Sequence, residues 1–332
     1  MPSREASHAG SWYSSSKSTL SSGLDQWLDA VPATTNGIRP ASQNVTIDLP
    51  STGARAIIAP HAGYSYSGPA AAWAYKALDL SNAPTRNRKR VFLLGPSHHY
   101  YLTGCALSKC DTYETPLGNL KIDTETVAEL HKKGKFDKMS VSQDEDEHSL
   151  EMHLPYIYKM MSRQFSDPSQ FPPVVPILVG ATSGATERQY GEILAPYLAD
   201  PTAVFIISSD FCHWGSRFRY TYYESAPGDA RSLRASDAPP KNPAIHESIA
   251  NVDGYCMDAV ESKSHKNFLD ILDDTGNTVC GRHPIGVVMA AIETLSLEEE
   301  KGKFRFVRYD RSSDCVSPRD SSVSYCSALA IF

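Results

Sequence analysis

Four short apolar runs constrain this chain more than any other feature: Ala-Ile-Ile-Ala at 56–59, Val-Phe-Leu-Leu at 91–94, Val-Val-Pro-Ile-Leu-Val at 174–179 and Ala-Val-Phe-Ile-Ile at 203–207. Runs of this length without polar alternation suit strands buried on both faces. Helical patterns stand between and beyond them, at 69–78, 187–198, 245–260 and 284–295, and strand-like alternation returns at 304–309 and 323–331. Buried strands interleaved with helices predict an α/β fold, a sandwich with a largely parallel or mixed central sheet and helices on both faces. An N-terminal helix is expected from Leu20, Leu24, Trp27, Leu28 and Val31, with Pro32 just beyond its end. Residues 33–54 and 225–243 lack periodicity and read as surface loops. The 332 residues are expected to form a single domain, 1–332.

Composition removes several function classes. A net charge of −6 argues against a polyanion-binding surface, so nucleic acid is not an expected partner. No apolar segment is long enough to cross a bilayer. The seven cysteines form no Cys-x-x-Cys pair, a usage that fits a reducing compartment. Nothing at the start reads as a secretory signal, so cytoplasm is the expected location, with the nucleus as an alternative.

Three of the strands run into chemically pointed loops: Pro60-His61-Ala62-Gly63-Tyr64, then Gly95-Pro96-Ser97-His98-His99, then Ser208-Ser209-Asp210-Phe211-Cys212-His213-Trp214-Gly215. Open α/β sheets bind ligands at the carboxyl ends of their strands, so these loops are expected to converge. Two further segments can join them. Residues 144–153 open a helical pattern that runs through Leu154, Ile157 and Met161, with His148 and Glu151 on one helix face. Cys280-Gly281-Arg282-His283-Pro284 precedes a helix, where a helix N-terminus and Arg282 give the thiol reason for a lowered pKa. The remaining candidates have plainer readings. The acidic run 144–147 reads as a solvated face or as helix N-terminal charge, favourable to the dipole. Cys105, Cys110, Cys256 and Cys326 read as small buried hydrophobes. Tyr220, Tyr222 and Tyr223 read as packing aromatics, and His131, His246 and His265 as residues without a special role.

These strand-end loops, together with Arg4-Glu5-Ala6-Ser7-His8-Ala9-Gly10-Ser11-Trp12-Tyr13, Glu147-His148-Ser149-Leu150-Glu151-Met152-His153-Leu154-Pro155 and Cys280-Gly281-Arg282-His283-Pro284-Ile285-Gly286, resemble the Memo family over nearly the whole chain. That family takes its name from mediating cell motility driven by an ErbB receptor. The resemblance implies a fold similar to the LigB-like class III extradiol dioxygenases, non-haem iron enzymes whose metal is held by two histidines and a glutamate. It implies a metal site at His61, His98 and Cys280, with cysteine where the dioxygenases have glutamate. It places Asp210, His213 and His148 around the pocket, and Trp12 and Tyr66 as walls of a cleft for a phosphotyrosine peptide.

Two histidines and a thiolate are softer than two histidines and a carboxylate, and favour copper, zinc or iron with an altered potential. With the resemblance to non-haem iron enzymes, iron or copper is the expected ion and zinc ranks behind. An oxidisable thiolate argues against ring cleavage in the manner of the dioxygenases. The first expectation is therefore a metal-binding, redox-related protein that modulates reactive oxygen chemistry or handles metal, a metal-dependent oxidoreductase if it is an enzyme at all. A non-catalytic signalling adaptor using the same cleft ranks second, and a zinc hydrolase third.

Overall fold

A computed structural model describes residues 2–80 and 90–332. Its centre is a nine-stranded mixed sheet. In chain order the strands are β1 (Ala54–Ala59), β2 (Arg90–Pro96), β3 (Cys105–Leu107), β4 (Phe136–Lys138), β5 (Val174–Val179), β6 (Ala203–Ser208), β7 (His213–Trp214), β8 (Phe304–Arg311) and β9 (Ser322–Ile331). Four of them, in spatial order β1-β6-β2-β5, run parallel. Antiparallel β9 pairs with β1, and β3 with β5, so the sheet is parallel at its centre and mixed at its flanks. Every residue of β1, β5 and β6 is buried, as strands covered on both faces must be.

Ten helices surround the sheet among the described residues: α1 (Lys17–Ala30), α2 (Tyr64–Ala77), α3 (Thr124–Lys132), α4 (Val141–Asp146), α5 (His148–Glu151), α6 (Leu154–Gln164), α7 (Gly184–Ala199), α8 (Ile245–Glu261), α9 (His265–Thr275) and α10 (Arg282–Leu295). The connection β1-α2-β2 steps one way across the sheet and β5-α7-β6 steps back. Right-handed crossovers therefore put α2 and α7 on opposite faces. None of these helices is long and apolar enough to cross a membrane.

The four apolar runs are the four central strands, each within two residues of the expected bounds. Differences lie where polar sequence hid structure. Residues 33–54 are not simply a surface loop: Thr34–Asn36 pairs with Thr46–Asp48, and Ile47 and Leu49 are buried. The stretch 225–243 begins inside a hairpin of Tyr222–Ala226 with Asp229–Ser232. The helical pattern from 144 onward is broken into α4, α5 and α6, because Ser140 and Glu147 each cap a new start.

Helices α7 and α10 approach each other through glycines. A Cβ on Gly191 would stand 2.7 Å from the Ala291 backbone nitrogen, and one on Gly286 would stand 2.3 Å from the Glu187 carboxylate. We expect Gly191→Ala to destabilise the fold by about 1–3 kcal/mol through overpacking. Gly23, in α1, has nothing within 4 Å of such a Cβ, and Gly23→Ala is expected to stabilise by roughly 0.5–1 kcal/mol. Urea denaturation of both variants checks the pair.

Candidate metal centre

Strand register brings the loops together. Ser208 lies level with Ala59, and Ile207 with Leu94, so β1, β2 and β6 end side by side. His61 and His98 each come two residues after their strand end, and Asp210 does the same after β6. Cys280 reaches the same edge from the turn before α10. That turn can approach only because its next residue is glycine: a Cβ on Gly281 would stand 2.4 Å from the Ser208 carbonyl oxygen.

The result is a compact donor set. One ligand atom each of His61, His98 and Cys280 lies within 4.8 Å of the other two, and His61 Nε2 is 3.3 Å from Cys280 Sγ. His61 is buried, whereas the His98 side chain is 27% exposed, so the set opens to solvent on one side. Burial, then the neighbouring His98 and His148, holds His61 well below the ordinary histidine range and hence neutral. Burial and the Asp210 carboxyl push the Cys280 thiol well above its ordinary range. This reverses the lowered pKa expected from sequence. The sulfur is enclosed, its backbone donors, including the Asp210 N–H at 3.2 Å, do not compensate, and Arg282 turns away to within 3.7 Å of Asp273.

This donor set fits a metal cation. The neutral His61 imidazole presents a lone pair, and burial with Asp210 disfavours the Cys280 thiolate, whose charge a bound metal would balance. A second grouping, His98, Glu147 and His148, also brings its donor atoms within 4.8 Å of one another. Its two rings are stacked, 4.3 Å apart and 22° from parallel, so their lone pairs diverge rather than meet at one ion.

The other predicted residues surround this centre in different ways. Asp210 is buried and its Oδ1 accepts the His61 backbone N–H at 2.8 Å, so it braces the β1 loop. His213 Nδ1 lies 2.9 Å from the Phe211 carbonyl and 3.2 Å from that of Thr278. Carbonyls only accept, so Nδ1 carries a hydrogen and directs it away from Nε2. His148 sits over His98 and beneath Trp12, whose ring centroid is 4.5 Å away, and burial, then His98, drops it to about 3. Trp12 thus reaches the centre, 37% exposed, while Tyr66 in the first turn of α2 is 61% exposed.

Sequence reasoning missed the residues behind these. Only part of the acidic run is a solvated face: Asp146 is exposed, but Asp144 and Glu147 are buried, the first on Arg4 and the second on His98, and Glu147 also caps α5. Their only signal was the Glu-His-Ser-Leu-Glu string itself. Glu151 is also buried and takes Arg4 Nη1 at 2.7 Å, His8 Nδ1 at 2.9 Å and the Tyr13 hydroxyl at 2.6 Å. This carboxylate straps the N-terminal arm, with Trp12, across the centre. His265 likewise has a role: its Nε2 bonds at 2.6 Å to buried Glu187, which also holds His283 at 2.8 Å.

A family model described as Memo-like protein matches residues 4–329. Protein MEMO1 of Xenopus laevis is 47% identical over 99% of this chain and 97% of its own length. Protein MEMO1 of Homo sapiens is 45% identical over 97% and 95%, and the memo-1 homolog of Caenorhabditis elegans 41% identical over 98% and 82%. Among solved structures, an uncharacterized protein, JW3007 of Escherichia coli, aligns with 82% of this chain and 99% of its own at a TM-score of 0.41 and 14% identity, a likeness too distant to carry an argument.

The Glu151 strap carries a pH prediction. Burial alone would raise this carboxyl, but His8, Arg4 and Tyr13 outweigh it and hold it at about 2. An unfolded glutamate titrates near about 4.3. A depressed folded pKa stabilises above the unfolded value and loses that contribution as pH falls through the folded one. About 3 kcal/mol should therefore vanish between roughly pH 4.3 and pH 2. Urea denaturation in stepped buffers should show this slope in the wild type and most of it gone in Glu151→Gln.

Proposed function

The chain belongs to the Memo family, and from that premise we propose that it binds one redox-active transition metal, iron or copper, at His61, His98 and Cys280, and acts in reactive oxygen chemistry or metal handling. The observation that carries this reading is the convergence of three donor atoms within 4.8 Å from three separate segments, two strand-end loops and the turn before α10. Folding a half-buried thiol against a buried neutral histidine gains little for stability, since neither completes a charge pair. It makes sense when both complete a coordination sphere.

The ligand types favour metals that accept sulfur and imidazole together, which keeps copper and iron ahead of the harder oxygen-seeking cations. With three protein ligands and one open side, a metal held here would keep a position for an exogenous ligand. His213, its Nδ1 engaged by backbone carbonyls, and His148, held neutral, are the residues that could take or deliver a proton beside it. Zinc with the same ligands would give a hydrolytic site, and it ranks behind iron and copper in this reading.

A second reading, a peptide-docking cleft for a phosphotyrosine segment, rests on exposed Trp12 and Tyr66 beside the same centre. Protein purified without added metal separates the two. Near-stoichiometric iron or copper by elemental analysis supports the metal reading, and bound phosphopeptide with no metal supports the other.

Two substitutions test the ligands. His98→Ala should abolish metal retention while leaving the fold intact, because two remaining ligands hold a transition metal poorly and the residue lies at the rim of the sheet rather than in its core. Normal metal content in this variant would remove His98 from the site. Cys280→Glu should raise the iron-to-copper affinity ratio, since a carboxylate with two histidines suits Fe(II). Competitive titration of both metals reads the ratio, and an unchanged value would mean that the cysteine is not a ligand.

A further inference from the structure

We propose that Glu147 and Ser208 are positioning residues that fix both histidines as Nδ1–H tautomers, so that each presents a bare Nε2 to the metal centre before any metal arrives. The inference rests on the reading of His61 and His98 as ligands, but its geometry stands in the protein alone.

For His61 the argument is a chain of necessary donors. The Ser149 carbonyl can only accept, so at 2.8 Å it takes the hydroxyl hydrogen of Ser208. The Ser208 oxygen then has only lone pairs to offer, and it lies 2.6 Å from His61 Nδ1. That contact requires the hydrogen to sit on Nδ1. The remaining nitrogen, Nε2, faces Cys280 Sγ with its lone pair. For His98 the lock is a carboxylate. Glu147 Oε1 is 2.8 Å from His98 Nδ1 and also accepts the Ser149 N–H at 2.9 Å, while its Oε2 accepts the His98 backbone N–H at 2.6 Å. An acceptor-only group against Nδ1 again places a hydrogen there and leaves Nε2 as the nitrogen that can ligate.

Both locks hang on one short element. Glu147 is the N-cap of α5, Ser149 lies within it, and the Ser149 hydroxyl donates to the Pro96 carbonyl at 2.8 Å. The Glu-His-Ser-Leu-Glu string thus ties the ends of β2 and β6 together and sets the proton on the ring just beyond each of β1 and β2. Glu147 Oε1 and Ser208 Oγ both lie against an Nδ1 atom, so each acts through a histidine ring.

The test reads tautomers first and affinity second. Metal-free protein labelled with 15N, examined by long-range 1H–15N correlation of the imidazoles, should show Nδ1–H at His61 and His98. Ser208→Ala should release His61, and Glu147→Ala should release His98, each toward the Nε2–H form that a solvated histidine side chain prefers. Titration with Fe(II) and with Cu(I) should show affinity lowered about 10–100-fold in each variant. Glu147→Gln keeps the side-chain volume and one acceptor, and it replaces Glu147→Ala if that variant does not fold. A wild-type Nε2–H tautomer at either histidine would overturn the inference, as would variants that keep Nδ1–H and full affinity. Correct tautomers in a wild type that binds neither metal would sink the metal reading and leave the positioning role standing.

Discussion

The parallel hydrogen-bond ladder β1-β6-β2 is the constraint on which the centre depends. Its register places Ser208 beside Ala59 and Ile207 beside Leu94, so three strands stop at one edge and hand their next residues to a shared space. Parallel strands point their carboxyl ends the same way, which is why His61, His98 and Asp210 can meet although they lie far apart in the chain. A one-residue slip of β6 would turn every buried side chain of that strand to the other face. It would also separate the Ser208 hydroxyl from His61.

Around that edge, burial decides the protonation of each group. His61 and His148 are kept neutral by desolvation and by neighbouring histidines, and Cys280 is kept a thiol by desolvation and Asp210. A cluster of histidines in water would share out positive charge. Enclosed, it becomes a set of lone pairs. A metal ion there would supply the positive charge that the buried His61 and the Cys280 thiol do not carry.

The segment from Asp144 to Glu151 carries more than its appearance suggests. Asp144 and Glu151 both bind the guanidinium of Arg4, at 3.2 Å and 2.7 Å, and Glu147 braces His98. These three carboxylates are buried and each is matched to named donors, so breaking any one leaves an unpaired group in the interior. Through them the N-terminal arm is fastened over the sheet edge, and Trp12 is brought onto His148. The same segment supports the strand ends from behind and the arm from in front.

The α/β class, the four central strands, the principal helices and the strand-end position of His61 and His98 were legible in the chain, because apolar runs and the polar loops after them are local patterns. The sequence by itself determined which residue types would be available at the carboxyl edge. Only the tertiary structure decided their states. Cys280 beside Arg282 reads as an activated thiol, yet in the fold Arg282 points to Asp273 and burial wins. Glu147 in an acidic run reads as solvated, yet it is enclosed against a histidine 49 positions away in the chain. Burial and hydrogen-bond partnership are properties of which segments meet. No local pattern of charge contains that information, since the energy of an ionisable group is set by its distant neighbours and by the water they exclude.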